Sequence, residues 1–357
     1  MNSFYPGLSK EQRINAIQRL TALWAFTESG LGGIMHALQI PFTGLLVGGM
    51  AVVMICLIGE FSEHAYRQIL KSAIIVLIVK AMASPLTPFT AYIAVSFQAL
   101  LGFILFSLLQ VNVISIVLLS TIAMFESAIQ KLLVLALLFG ESLWKAMDKM
   151  IAFASGQLGH TVSNGSYWIM AIYLFIYLAG GFFIAWLAYS TIKKFNTGNP
   201  AFILKEPDII HQGLVTETIT AGKKIRRKLW LFIAIMIILS IVLFFFSADK
   251  KAGWIAVIKT ITWTLSAMLI WFVFIGPLFA KGIQTLLKKK ESRYNDEVSR
   301  ILTFLPVLSK LTNLAWQQSK LHSGFKRWQF FFTALIYATL TWLEPDLTEQ
   351  KTNKNTV

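Results

Sequence analysis

Cysteine is nearly absent, with Cys56 the only one in 357 residues. That excludes an intramolecular disulfide framework and leaves no cysteine spacing suited to a metal. Charge is scarce too, at 14% of residues against roughly a quarter in an ordinary soluble domain. Acids are the scarcer sign: 17 Asp+Glu face 32 Lys+Arg, a formal net charge of +15. The short patterns that announce common chemistries are missing as well. There is no G-x-x-x-x-G-K-[ST] phosphate loop, so the chain does not hydrolyse ATP by that route. No H-E-x-x-H, C-x-x-C or G-x-S-x-G occurs, and nothing proposes an enzyme, a metal or a cofactor. A cleavable signal peptide is not expected. Residues 1–19 are polar and mixed in charge, and the first apolar run leads into more membrane-like sequence.

Apolar surface is what the chain has in excess. Hydrophobic residues make up 56% of it and its mean hydropathy is +0.65. A chain of this length cannot hide that much by folding on itself. The expected fold is an all-α, polytopic membrane bundle of about eight to nine transmembrane helices with basic cytoplasmic amphipathic helices. Its partner is the lipid bilayer, and no nucleic acid is expected despite the positive charge.

A bilayer core about 30 Å thick asks for about 20 apolar helical residues. Runs that approach this length are Leu20–Leu38, Pro41–Ile58, the shorter Ile69–Met82, and Phe89–Leu109. A fifth lies within 111–139, where one tilted helix and two short segments are both open. A polar stretch at 141–166 then precedes a sixth span, Tyr167–Ile192. Two more, Leu229–Ser247 and about 252–280, follow a basic segment at 193–228 that holds eight Lys/Arg and three acids. A second basic region, 281–327, holds ten Lys/Arg and three acids. Trp328–Trp342 is a last apolar run, either a ninth span or an interfacial helix. Basic segments mark the cytoplasmic side. Placing both inside makes spans seven and eight an out-and-back hairpin and puts the N-terminus inside, where Lys10, Arg13 and Arg19 agree. The domains so read are a six-helix membrane bundle (1–195), a basic linker (196–228), a membrane hairpin (229–280), cytoplasmic or interfacial helices (281–343) and a disordered tail (344–357).

Within the first span, Ala25, Ser29, Gly33 and Ala37 recur every four residues and make one row of small side chains. Such a row admits a close helix neighbour, from this bundle or from a separate membrane subunit. Gly44/Gly48 and Gly181/Ala185 repeat the device. Glu28, Gly32 and His36 form a second row. A carboxylate near mid-membrane costs a few kcal/mol, so Glu28 should face a cavity or a partner, or be protonated. Lys80 closes the third span, where it either snorkels to the headgroups or offers a cation to an anionic solute. Tyr92 and Ser96 share a face of the fourth span, with Gln98 deeper. In the fifth region Lys131 is expected to neutralise Glu126. Trp168 suits an aromatic belt or a ligand platform. Residues 297–321 read as an amphipathic helix with Val298, Ile301, Leu305, Leu308 and Ala315 on one side, kinked or divided at Pro306. Arg300, Lys310 and Lys320 on its other side, with Arg226 and Arg227 of the linker, are the candidates for contact with anionic lipid or a cytosolic partner.

Residues 1–195 resemble the substrate-capture (S) component of energy-coupling factor transporters, the bacterial vitamin and metal importers. The resemblance rests on six spans with both ends inside and on the Ala25/Ser29/Gly33/Ala37 helix leading into Ile40-Pro41-Phe42-Thr43-Gly44. It rests also on the polar Ser84-Pro85-Leu86-Thr87-Pro88 break before a Gln98-bearing helix. The S components tend to show alanines where Ser29 and Gly33 stand here. The resemblance implies that the small-residue row docks a membrane coupling subunit and that His36, Lys80, Tyr92, Gln98 and Trp168 are ligand candidates, beside Glu28, which its place in the membrane already marks as part of a ligand site or proton path. The second half is faintly similar to the coupling (T) component, although its Ala-Arg-Gly signature is missing from 281–330. The function so implied is a bacterial inner-membrane transport protein that captures a small solute and draws energy from a separate ATPase. A non-transporting membrane scaffold or assembly factor, and a proton-coupled carrier using Glu28, are the other readings.

Overall fold

The computed structural model describes residues 9–32, 42–83, 89–157, 164–196 and 276–341, with six isolated positions between 255 and 270. Every described element is helical, and no strand occurs among the described residues. The first helix, α1 (Lys10–Phe26), starts ten residues before the expected span. A capping box explains the early start: Ser9 Oγ accepts from the Gln12 N–H at 3.2 Å, and Gln12 Oε1 accepts from the Ser9 N–H at 2.8 Å. Past Phe26 the helix widens into a π-turn, Thr27–Leu31. Thr27 Oγ1 donates to the Trp24 carbonyl at 2.8 Å and Ser29 Oγ to that of Ala25 at 2.6 Å. Such hydroxyls compete for the carbonyls of the i→i−4 ladder, which makes this stretch the place where it loosens.

The second helix, α2 (Thr43–Phe61), leaves Phe42 in the left-handed region (φ 62°) and becomes the hub of the bundle. Of its most apolar window 78% is buried, against 33% or less in the other long apolar helices. A helix apolar all round is stable only when surrounded, and α2 is packed by α1, α3 (Arg67–Ala83), α4 (Phe89–Leu109), α5 (Val113–Phe139) and α7 (Gly165–Asn196). The region at 111–139 is thus one helix, entered through a second capping box at Asn112 and Ser115. Most of the polar stretch at 141–166 folds as α6 (Glu141–Gln157). Its Asp148 Oδ1 accepts from the Ser166 N–H at 2.7 Å, which places a carboxylate at the start of α7.

The outer helices carry bare apolar stripes at helical spacing. Leu100, Ile104 and Leu108 are exposed on α4, as are Ile114, Leu118 and Ile122 on α5 and Ile172, Phe175 and Phe182 on α7. Soluble monomers do not expose continuous apolar faces of this length. Four helices, α2, α4, α5 and α7, are long and apolar enough to cross a membrane. The eight to nine spans expected are not all accounted for. Most of 229–280 lies outside the described residues, and α3, with 17 residues, reaches roughly 26 Å, short of a full bilayer core.

Two further helices fold back on this bundle. The first, α8 (Gly276–Ser319), has its one non-helical residue at Tyr294 (φ −116°, ψ 15°), and Pro306, where the break was expected, stays inside the helix. Val298, Ile301, Leu308 and Ala315 of α8 are buried, while Leu305 is only half-buried. The second, α9 (Gly324–Thr341), runs parallel to the second half of α7: Phe325 meets Phe183 at 4.5 Å and Tyr337 stacks on Phe195 at 5.8 Å. The hairpin is tied to the bundle by Lys71 Nζ donating to Glu297 Oε1 at 2.6 Å. Arg19 Nη1 donates to the carbonyls of Leu340 (3.0 Å) and Thr339 (3.4 Å), two acceptors left open by the end of α9. An ion pair between Arg13 and Glu63 joins the start of α1 to the turn after α2.

The Arg19 contact carries a prediction. Arg19→Met removes charge-assisted bonds of about 1.5 kcal/mol and should speed amide exchange across residues 331–341 while leaving 50–58 protected. Hydrogen–deuterium exchange in detergent reads both segments at once, and unchanged exchange at 331–341 would show the contact to be idle.

Candidate functional site

The candidate site begins with the register of α1 and α3. Thr21 Oγ1 donates to Ser72 Oγ at 2.7 Å, and two turns further along Lys80 Nζ donates to Glu28 Oε2 at 2.5 Å. Partners thus advance together on both helices, so the two run parallel, and the charged residues meet inside the bundle. The Glu28 and Lys80 side chains are 4% and 2% exposed. Gly32, one turn beyond Glu28, lies against Val47 of α2, whose nearest methyl is 3.4 Å from the point where a Cβ would stand. The pair is therefore buried about one turn in from the end of the bundle at which α2 and α4 begin and α3 stops. Although α3 ends only three residues later, the Lys80 side chain turns to the Glu28 carboxylate inside the bundle and not outward to its surface. The Lys80 ammonium is 5.8 Å from the centre of the Tyr92 ring on α4, within cation–π range. Three helices thus contribute one side chain each, and the carboxylate rides on the π-turn. Such turns recur at functional positions because they widen the helix locally.

The other candidates do not join this group. Gln98 is 1% exposed and its Oε1 has no partner among the described residues. It belongs to a second polar cluster, where its Nε2 is 3.0 Å from the point a Cβ on Gly48 would occupy. Gly44 of the same helix lies under Ser127 and the Tyr177 hydroxyl. Tyr173 and Tyr177, with ring centres 4.9 Å apart, complete that cluster against Phe42. Neither tyrosine was read from the sequence as functional, although their i, i+4 spacing on an apolar helix was a usable signal. Trp168 is 66% exposed on the first turn of α7. Lys131 does not neutralise Glu126, whose Oε2 is buried without a partner among the described residues. Positions five apart fall on different faces of a helix, and only spacings of three or four meet.

No family model, curated protein or solved structure matches this chain. The site must speak through its own geometry. Ala25 and Ser29 are buried, at 0% and 6% exposure, so this half of the small-residue row packs within the bundle. Gly33, His36 and Ala37 lie outside the described residues, as do Arg226 and Arg227. Of the cationic candidates on α8, Arg300 is exposed and Lys310 half-buried, while Lys320 is exposed in the turn that follows. No group of three or more His, Cys, Asp or Glu suited to a metal occurs among the described residues.

A buried ion pair is a poor source of stability, because desolvating two charges offsets most of their attraction. Its chemical capacity is exchange. A carboxylate can displace Glu28 from Lys80, and an ammonium can displace Lys80 from Glu28, with the Tyr92 ring beside either cation. Charge balance in the first exchange requires the displaced Glu28 to take up a proton, and in the second it requires the displaced Lys80 to release one, since both side chains stay buried.

Proposed function

We propose that the chain is a membrane transport protein whose N-terminal helices capture a small charged solute at Glu28, Lys80 and Tyr92. Energy comes from a separate ATPase, and the membrane is the bacterial inner membrane, with the N-terminus on the cytoplasmic side. The observation that carries this reading is the Glu28–Lys80 pair, two charges held 2.5 Å apart in the interior of an apolar bundle. Ionisable side chains among apolar helices are expensive and recur on solute and ion pathways. The resemblance of residues 1–195 to the S components of energy-coupling factor transporters points the same way.

A second reading, a non-transporting scaffold, is favoured by the contacts that fasten α8 and α9 to α1 and α3 through Lys71–Glu297 and Arg19. In that reading Glu28 and Lys80 only satisfy each other. Native mass spectrometry after gentle solubilisation separates the two. Transport predicts a small-molecule adduct and attached ATPase subunits on the wild type, with the adduct lost in Glu28→Gln. A wild type that carries neither is the scaffold's result and removes the transport reading.

A further inference from the structure

At the end of the bundle that carries Lys10, helices α1, α3 and α8 do not close on one another. They leave a cleft of about 840 Å³. One part of its wall is apolar, built from Ile14, Ile17, Ala22, Ile75 and Phe304. The other part is cationic: Arg19, Lys71 and Arg300 face it with a single acid, Glu297, three positive charges against one negative. Glu297 is engaged by Lys71 at 2.6 Å. Arg300 stands three residues further along the same helix, exposed, so it shares the cleft face with Glu297 without being tied to it. Arg19 already donates to the end of α9, yet its charge remains at the cleft. The cleft also reaches Thr21 and Ser72, two turns along α1 and α3 from the Glu28–Lys80 pair, and is distinct from it.

We infer that this cleft binds an anionic membrane lipid, its headgroup phosphate on Arg300, Lys71 and Arg19 and an acyl chain along Ile17, Ile75 and Phe304. The shared chemistry is phosphate recognition, and the apolar wall decides the source. A free phosphate gains nothing from burying itself beside isoleucine and phenylalanine, whereas a phospholipid brings both halves. A zwitterionic lipid, in turn, makes no use of two excess positive charges. The position suits an amphiphile, since α1 and α3 run from this cleft into the interior of the bundle beside α2. Basic pockets between membrane helices are a recurring way to hold acidic headgroups. The inference rests on α2, α4, α5 and α7 lying in lipid and does not depend on transport.

Three proteins test it: the full-length wild type, Arg300→Gln and Glu297→Gln, in mild detergent. Native mass spectrometry titrates each with phosphatidylglycerol or phosphatidylcholine, with and without millimolar inorganic phosphate. The wild type should retain phosphatidylglycerol about 25-fold better than phosphatidylcholine, at about fivefold for each excess charge. Arg300→Gln should weaken retention about fivefold. Glu297→Gln, which frees Lys71, should strengthen it by a similar factor, a gain that misfolding cannot imitate. Equal retention of the two lipids, or indifference to both substitutions, overturns the assignment. Displacement of phosphatidylglycerol by inorganic phosphate overturns the lipid as the source and leaves a soluble phosphate site.

Discussion

Lys80→Met is expected to destabilise the protein by about 3–5 kcal/mol, because it strands the Glu28 carboxylate in the interior without a counter-charge. The methionine keeps most of the lysine's length and apolar contact, so the loss isolates the charge. Glu28 cannot recruit water cheaply, since its side chain and that of Lys80 are 4% and 2% exposed. The double variant Glu28→Gln/Lys80→Met should recover most of the loss, because removing both partners of a buried pair is close to neutral. Unfolding in mixed micelles, followed by tryptophan emission, measures all three proteins. If Lys80→Met unfolds with the wild type, Glu28 and Lys80 do not form a buried ion pair. If the double variant is as unstable as the single one, the loss comes from packing around Lys80.

Gly181→Leu is expected to cost about 3 kcal/mol, the upper range for forcing extra volume into a packed interface. A Cβ at Gly181 would stand 2.9 Å from Thr121 Cα and 3.2 Å from the Ser120 carbonyl oxygen. Both are backbone atoms of α5, so nothing flexible can give way. The helices themselves must part, and α5 and α7 share one of the most extensive contacts of the bundle. Close backbone approach of this kind is how membrane helices associate when the hydrophobic effect between them is absent. Gly156, where a Cβ would meet nothing within 4 Å, supplies the control: Gly156→Leu should unfold with the wild type, within about 1 kcal/mol for replacing a helical glycine. Equal behaviour of the two leucine variants would refute the close approach at Gly181.

The small residue at Gly181 was legible in the sequence as a packing device, and so was the extent of α4, where the expected and observed limits coincide at Phe89 and Leu109. A run of 21 residues without one charged side chain, mostly apolar, leaves little choice of where a helix begins and ends. The start of α1 was harder to see, because its first turns are polar and are fixed by Ser9 and Gln12 outside the apolar run. The pairing at Lys80 was not legible. Hydropathy places a lysine near a helix end and stops there, whereas its partner lies 52 residues earlier on another helix. The same limit hid the meeting of Gly44, Gly48, Ser127 and Tyr177, which come from three helices. Periodicity reports one face of one helix, and the site is built between faces.

Lipid is the solvent for the outer faces of the bundle, while the packed helices inside keep the Glu28–Lys80 pair dry. A spin label at Phe182→Cys, in a Cys56→Ala background in liposomes, tests it most directly. Phe182 is 59% exposed on the α7 stripe, and Cys56 is the one thiol to be silenced. The account predicts a label reached readily by oxygen, which concentrates in the bilayer, and poorly by a water-soluble nickel chelate. A label that the chelate relaxes as freely as it would a group in bulk water contradicts it.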